Sequence, residues 1–263
     1  MKMDIGISWG CYSGLSIERQ AELMAENGFA TTFLSGAEPK IKEISRALDK
    51  RGIVCENLHA PFSHINDIWY EGENGEAMLG ELFETAERCH ENGIPVMVVH
   101  LSSGCPAPRI NDVGYRRFER LMEYARKKGV TVAYENQRYL ANLAYMMEQF
   151  PDAGFCWDVG HEACFTDGRR YMPLFGKRLS ALHIHDNDMK YNSDLHLIPY
   201  DGKIDFDRVA REIAQSGYGG SLMLELSRGN SHYYDDSSPE DYYRRAAQAA
   251  VRLRNAVEKE VKA

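Results

Sequence analysis

Short apolar runs alternate with amphipathic segments from one end of the chain to the other. Eight of the runs are short and rich in β-branched and aromatic side chains, which is typical of buried strands. They predict strands at residues 4–9, 30–35, 53–59, 95–101, 130–135, 154–158, 180–185 and 220–225.

The segments between these runs carry the spacing of amphipathic helices. One apolar stripe contains Met78, Leu82 and Ala86, which recur every four residues and therefore lie on one face of a helix. The last helix is predicted to begin at Ser238-Pro239, because serine is a favoured N-cap and proline is tolerated in the first turn. The helix after the sixth strand is predicted to be short. Residues 186–204 and 226–238 are predicted to be the longest irregular connections, and such loops often face a substrate.

Eight regular strand–helix units predict a (β/α)8 barrel in which residues 1–263 form a single domain. The active sites of such barrels lie at the carboxyl ends of the strands. An open doubly wound sheet is the rival architecture, but it gathers ligands only near the point where its strand order reverses.

Imidazoles and carboxylates stand at or just beyond the ends of six predicted strands. Such groups are costly to bury unless they are paired or bound to a metal, so we expect them to converge on one site. They are His59, His100, Glu135, Asp158, His161, His183, His185, Asp194, His196 and Glu225.

Four of these residues are first-choice metal ligands, and they come from strands 5 to 8: Glu135, Asp158, His183 and Glu225. Three carboxylates and one imidazole suit Mn²⁺ or Zn²⁺, with Co²⁺ or Mg²⁺ as alternatives, better than an ion that prefers thiolates. His183 and His185 have the same parity on their strand, so both could face the barrel axis. The pattern alone leaves open which of the two is the ligand.

A second group consists of His59, His100, His161, Asp194 and His196. Asp194 and His196 are two residues apart in an extended segment, which places their side chains on the same side. Together with His185, this group could bind further metal ions or could form hydrogen bonds with the hydroxyl groups of a sugar. The sequence pattern is compatible with both interpretations.

Composition excludes several classes of function. The net charge of −8 argues against nucleic-acid binding, which needs a basic surface. Neither a basic leader followed by an apolar stretch nor about 18 consecutive apolar residues occurs, so we expect a cytoplasmic protein with no membrane partner. The six cysteines form no CxxC pair and are interpreted as reduced thiols, with Cys156 a small core residue.

The ordered motifs HAP, VVH, AYEN, DVGH, LHIHDND, DLHLIP and LMLEL resemble the sugar phosphate isomerase/epimerase family. These proteins are xylose-isomerase-like TIM barrels, related to ketohexose 3-epimerases and to metal-dependent apurinic endonucleases. The resemblance extends from His59 to Glu225. It implies one divalent metal held by Glu135, Asp158, His183 and Glu225, and it favours His183 over His185 because Asp186-Asn187 match the family's pattern.

The same motifs also resemble those of the apurinic-endonuclease branch of the family. Its three-zinc site implies five further ligands, at His59, His100, His161, Asp194 and His196. The resemblance implies as well that His161 contacts substrate. The acidic chain lacks the basic, aromatic-interleaved loops that grip a duplex, so these matches do not by themselves indicate a DNA enzyme.

These observations predict a metal-dependent sugar or sugar phosphate isomerase or epimerase. Glu135 and Glu225 would move a proton on the carbon next to a carbonyl, through an enediolate. The expected partner is a small sugar or sugar-derived molecule, and a homo-oligomer is compatible with the resemblance. The alternatives are a multinuclear zinc hydrolase or lyase, and a non-catalytic sugar-binding protein.

Overall fold

Eight strands alternate with helices in residues 3–262, the part of the chain that the computed structural model describes. All eight predicted strands are confirmed, with bounds that differ from the prediction by no more than two residues. They are β1 (Ile5–Ile7), β2 (Thr31–Ser35), β3 (Val54–His59), β4 (Val96–His100), β5 (Thr131–Glu135), β6 (Gly154–Asp158), β7 (Leu179–His183) and β8 (Leu222–Leu224).

The helices lie between the strands and after the last one. They are α1 (Ile17–Glu26), α2 (Ile41–Asp49), α3 (Glu73–Glu91), α4 (Asp112–Lys128), α5 (Leu140–Gln149), α6 (Val159–Phe165), α7 (Met172–Phe175), α8 (Phe206–Ser216) and α9 (Pro239–Lys262). The helix after the sixth strand, α6, is short as predicted. Helix α9 begins at Pro239 as predicted, and the Ser238 hydroxyl accepts a hydrogen bond from the Asp241 N–H at 3.2 Å.

The strands are parallel and follow the order β7-β6-β5-β4-β3-β2-β1-β8. The two ends of this sheet meet just beyond β7, where the Ile184 N–H donates to the Met223 carbonyl at 2.9 Å and the Glu225 N–H donates to the Ile184 carbonyl at 3.0 Å. Each strand thus lies beside its neighbour in sequence, and the sheet nearly closes on itself. The predicted (β/α)8 barrel is confirmed.

Strand register brings the predicted site residues to one level. His100 lies opposite Glu135 across β4 and β5, and Asp158 lies opposite His183 across β6 and β7. Directly below this level, a buried cluster of small side chains fills the barrel: Val98, Ala133, Cys156 and Ala181. The predicted site residues therefore lie directly above an apolar layer of the barrel core.

The two predicted long connections are also observed. The segment between β7 and α8 contains neither helix nor strand, and the segment between β8 and α9 contains two short 3₁₀ turns. Both lie on the side of the barrel where the strands end. Among residues 3–262, no helix is long and apolar enough to cross a membrane.

Candidate active site

Five consecutive strands, β3 to β7, end on an imidazole or a carboxylate, and Glu225 directly follows β8. Parallel strands end at the same rim of a barrel, so these side chains face one another. The remaining predicted residues lie in the first turn of α6 and on the β7–α8 connection. The structure thus gathers all of the predicted residues at one end: His59, His100, Glu135, Asp158, His161, His183, His185, Asp194, His196 and Glu225.

Glu135 is the centre of this group, and only 1% of its side chain is exposed. Its Oε2 atom lies 3.1 Å from Nε2 of His59 and 3.1 Å from Nε2 of His100. Its Oε1 atom lies 2.9 Å from Nδ1 of His161. Burial raises the pKa of Glu135, but the imidazoles of His100 and His183 outweigh it and hold the pKa well below its ordinary value. Glu135 is therefore a carboxylate at neutral pH.

His183 lies between the two glutamates of the site. Its Nδ1 atom is 3.4 Å from Oε2 of Glu135 and 3.4 Å from Oε2 of Glu225. The imidazole stacks on the Phe33 ring, with 4.7 Å between ring centroids, which restrains its orientation. His183 thus connects β5, β7 and β8 across the barrel mouth.

His185 occupies a different part of the same mouth. Its Nε2 atom lies 3.2 Å from Oδ1 of Asp158 and 3.6 Å from Oδ1 of Asp194. Its ring stacks on that of His196 at 4.1 Å. A Cβ atom at Gly160 would overlap the His185 ring, so the glycine makes room for the imidazole. His183 and His185 both face inward, and each meets different carboxylates.

Asp194 is flanked by three histidines. Its Oδ2 atom lies 3.4 Å from Nε2 of His161 and 3.3 Å from Nε2 of His196, and its Oδ1 atom faces His185. Burial raises the pKa of Asp194, but the hydrogen bonds to His161 and His196 prevail and hold it far below its ordinary value. Burial lowers the pKa of His196, but the bond to Asp194 prevails and raises it to about 9.

Glu225 faces a cavity of about 440 Å³ that opens beside the ring of histidines. Trp9, Phe33, His59 and His196 are among the other side chains that line it. Burial raises the pKa of Glu225 above its ordinary value, against the lowering effect of the nearby imidazoles. Glu225 and Glu135 therefore have opposite pKa shifts within one site.

Several ligand-type atoms at the site are buried without a hydrogen-bond partner. Buried polar groups are nearly always partnered, so these orphaned atoms are available as ligands for a bound group. Sets of three such side chains have ligand atoms within 4.8 Å of one another, which suits a divalent cation. The orphaned atoms are both ring nitrogens of His183 and His185, Nδ1 of His100, Oδ2 of Asp158 and Oδ1 of Asp194.

Three residues at the site were not among the predicted ones. The Gln137 amide nitrogen lies 3.2 Å from Nε2 of His100 and 3.1 Å from Nδ1 of His161. The Phe62 ring stacks on that of His100 at 4.5 Å. Cys156 is buried as predicted, yet its thiol belongs to a possible metal-binding group with Glu135 and His183. Its parity with Asp158, two residues later on the same strand, was the signal for that position.

Comparison with known proteins yields a family and several relatives. The family model described as "Xylose isomerase-like TIM barrel" matches residues 19–254. The uncharacterised protein y4fM of Sinorhizobium fredii is 30% identical over 152 residues, which are 54% of this chain and 47% of that protein. The chain therefore spans about half the length of y4fM.

Solved structures show the same fold at low sequence identity. The D-psicose 3-epimerase of Clostridium cellulolyticum, solved with D-tagatose, has a TM-score of 0.78 and 13% identity, and the alignment covers 97% of this chain and 99% of that one. An L-ribulose 3-epimerase has a TM-score of 0.76 and 17% identity, with 100% and 96% covered. The residues that the family model matches, 19–254, include every strand from β2 to β8 and all ten of the predicted site residues. The chain therefore belongs to the xylose isomerase-like TIM barrel family.

Proposed function

We propose that the protein is a sugar isomerase or epimerase that depends on a divalent metal and moves a proton on the carbon next to a carbonyl. The observation that carries this proposal is the pair of glutamates on either side of His183, with opposite pKa shifts, beside a cavity of about 440 Å³. When the surroundings shift the pKa values of two neighbouring carboxyl groups in opposite directions, the two groups usually have different roles in acid–base catalysis.

Glu225 is the residue suited to proton removal. It lines the cavity, and a raised pKa brings a carboxylate closer to the range in which it accepts and returns a proton at neutral pH. Its carboxylate takes the proton from the carbon and leaves an enediolate. Glu135 relays the replacement proton from the imidazole of His161, 2.9 Å away, and is a carboxylate again once that proton has passed to the other face of the enediolate. Glu225 then releases its proton to water and His161 takes one back from water, so the site returns to its starting charge.

The residues that would hold the metal are Glu135, Asp158, His183 and Glu225. Their orphaned buried atoms and their mixed oxygen and nitrogen donors fit such an ion. When bound, a divalent ion supplies Lewis-acid polarisation of the substrate's carbonyl. His161 and His185 orient substrate hydroxyls, and His59 and His100 hold Glu135 in place through contacts of 3.1 Å each.

The cavity favours an unphosphorylated sugar. Phosphate groups are usually held by arginine or lysine, and neither occurs among the described residues that line this cavity. Two arginines of the loops at this end of the barrel are engaged elsewhere: Arg138 stacks on Phe165, and Arg228 donates to the carbonyls of Tyr234 and Asp235. Aromatic walls at Trp9 and Phe33 suit the apolar face of a sugar carbon chain.

A panel of free and phosphorylated ketoses and aldoses tests this proposal. Protein loaded in turn with Mn²⁺, Zn²⁺, Co²⁺ or Mg²⁺ should convert at least one free sugar to an isomer or epimer, and removal of the metal should abolish the conversion. Conversion of phosphorylated sugars alone would contradict the neutral-substrate assignment. No conversion of any sugar with any metal would contradict the proposed activity.

A second candidate is a multinuclear zinc hydrolase or lyase. The observation that favours it is the presence of further metal-type groups beyond Glu135 and His183, including His185, Asp194 and His196. Metal analysis separates the two candidates, since about one equivalent per chain supports the isomerase and three support hydrolysis. A phosphodiester substrate should then be cleaved only by the fully loaded protein.

A further inference from the structure

Asp186, one residue after His185, is completely buried, and its carboxylate accepts four hydrogen bonds from backbone N–H groups. One oxygen accepts from Asn187 at 2.8 Å and Ile204 at 3.0 Å. The other accepts from Tyr200 at 3.0 Å and Gly202 at 2.8 Å. Donors from both ends of the β7–α8 connection thus meet at one side chain.

This connection has an unfavourable backbone conformation. Four of the five described non-glycine residues with positive φ lie in it: Met189, Asn192, His196 and Tyr200. Non-glycine residues adopt such angles only where the surroundings hold them. His196 itself has φ of 49°, so the orientation of a site imidazole depends on how firmly the connection is held.

Other contacts hold single points of the connection, such as the hydrogen bond from the Ile198 N–H to the Tyr234 hydroxyl at 2.9 Å, whereas the Asp186 carboxylate joins its start to residues 200, 202 and 204. Backbone hydrogen bonds between Asp186 and Leu197, at 2.8 and 2.9 Å, bring the middle of the segment back to its start. Gly202 approaches so closely that a Cβ atom there would overlap the Asp186 carboxylate and the Asn187 carbonyl. The four bonds therefore require both a carboxylate at 186 and a glycine at 202.

We propose that Asp186 is a positioning residue that holds the connection so that Asp194 and His196 face the site. Asp194 and His196 lie 8 and 10 residues after Asp186 in the chain, inside the loop that its carboxylate closes. The proposal rests on the proposed function only in assuming that these two side chains act on substrate or metal. The four hydrogen bonds of the Asp186 carboxylate go to the backbone of other residues of the connection and not to Asp194 or His196.

Two substitutions test this role independently. Asp186→Asn places an amide NH₂ against two backbone donors, and Gly202→Ala pushes the loop away from the carboxylate. The matched controls are Asp188→Asn, where the carboxylate pairs with Lys190, and Gly229→Ala, which has open space around it. In the full chain, hydrogen exchange of residues 186–204 should become about tenfold faster or more in both test variants, while strands β3 to β6 stay protected.

Activity and metal binding give the second readout. Removing such supporting contacts should lower kcat/KM about 10- to 100-fold in both test variants, with Zn²⁺ titration still showing one equivalent bound at the Glu135 site. The controls should match wild type. Wild-type exchange in residues 186–204 of both test variants would overturn the positioning role. If the wild-type chain converts no sugar, the proposed function fails, and the exchange data still decide the role of Asp186.

Discussion

At the scale of single residues, Glu135 and Glu225 differ only in their surroundings. Three imidazole nitrogens lie within 3.1 Å of Glu135, whereas Glu225 borders a cavity and has a raised pKa. The same type of side chain is therefore a carboxylate in the resting site at position 135, where it only relays a proton, and a proton acceptor at position 225. Identical residue types in a sequence do not reveal this division, because the neighbours come from other strands.

Glu225→Gln should lower kcat by about 10²- to 10⁴-fold, because the amide cannot accept a proton from the substrate carbon. The fold should survive, which circular dichroism and thermal unfolding would show. Glu148→Gln, on the exposed face of α5, is the matched control and should retain full activity. Full activity in Glu225→Gln would exclude this residue as the base.

Gly160→Ala should displace His185, because the new methyl group would occupy the space of its ring. Overpacking of a buried site costs about 1–3 kcal/mol in unfolding free energy, and activity should fall with it. Gly80→Ala, on α3 with nothing within 4 Å, is the control and should unfold at or above the wild-type temperature. Equal stability of the two variants would contradict the packing described around His185.

At the scale of elements, period and parity in the sequence predict all eight strands and place the site at their carboxyl ends. They also predict that His183 and His185 both face inward. Which carboxylates each histidine meets depends on strand register and barrel closure, which no local pattern encodes. Gln137 was not predicted for the same reason, since it contacts His100 on β4 and His161 on α6, two other elements of the barrel.

Asp158 serves a strand and a helix together. Its Oδ1 atom caps α6 by accepting from the His161 N–H at 2.6 Å, and its Oδ2 atom is buried without a partner. Asparagine is as good an N-cap as aspartate, so metal-free Asp158→Asn should be about 1 kcal/mol more stable than Asp158→Ala. Urea unfolding measures the difference, and both variants should bind Zn²⁺ more weakly than wild type. Equal stability of the two would mean that the cap contributes nothing.

At the scale of the whole molecule, the stability of the metal-free protein should decline as pH rises from about 6.5 to 9. The folded pKa of His196 is raised to about 9, and those of His161 and His183 lie well above their ordinary value. A group whose pKa is higher in the folded than in the unfolded state stabilises the folded protein fully at a pH below its unfolded pKa. That stabilisation is lost as the pH rises through the folded pKa and the group deprotonates. The pKa of His100 is lowered to about 4, so this residue makes stability increase with pH. That increase takes place between about pH 4 and 6.5, below the range over which the decline occurs.

Urea unfolding of the chelated protein at pH 6.5, 7.5 and 9 measures this dependence. His196→Gln should flatten the decline, because it removes one of the three groups. His232→Gln, at a fully exposed site, is the control and should leave the decline unchanged. Stability that is constant or increasing over this range would contradict the charge pairing described around Glu135 and Asp194.

The most direct test of the central claim is isotope incorporation during turnover. The metal-loaded protein is incubated in deuterated water with the free sugar that it converts best, and the product is examined by NMR at the carbon next to the carbonyl. Proton abstraction by Glu225 predicts deuterium at that carbon, with incorporation lost in Glu225→Gln. Conversion without deuterium from the solvent would contradict the account.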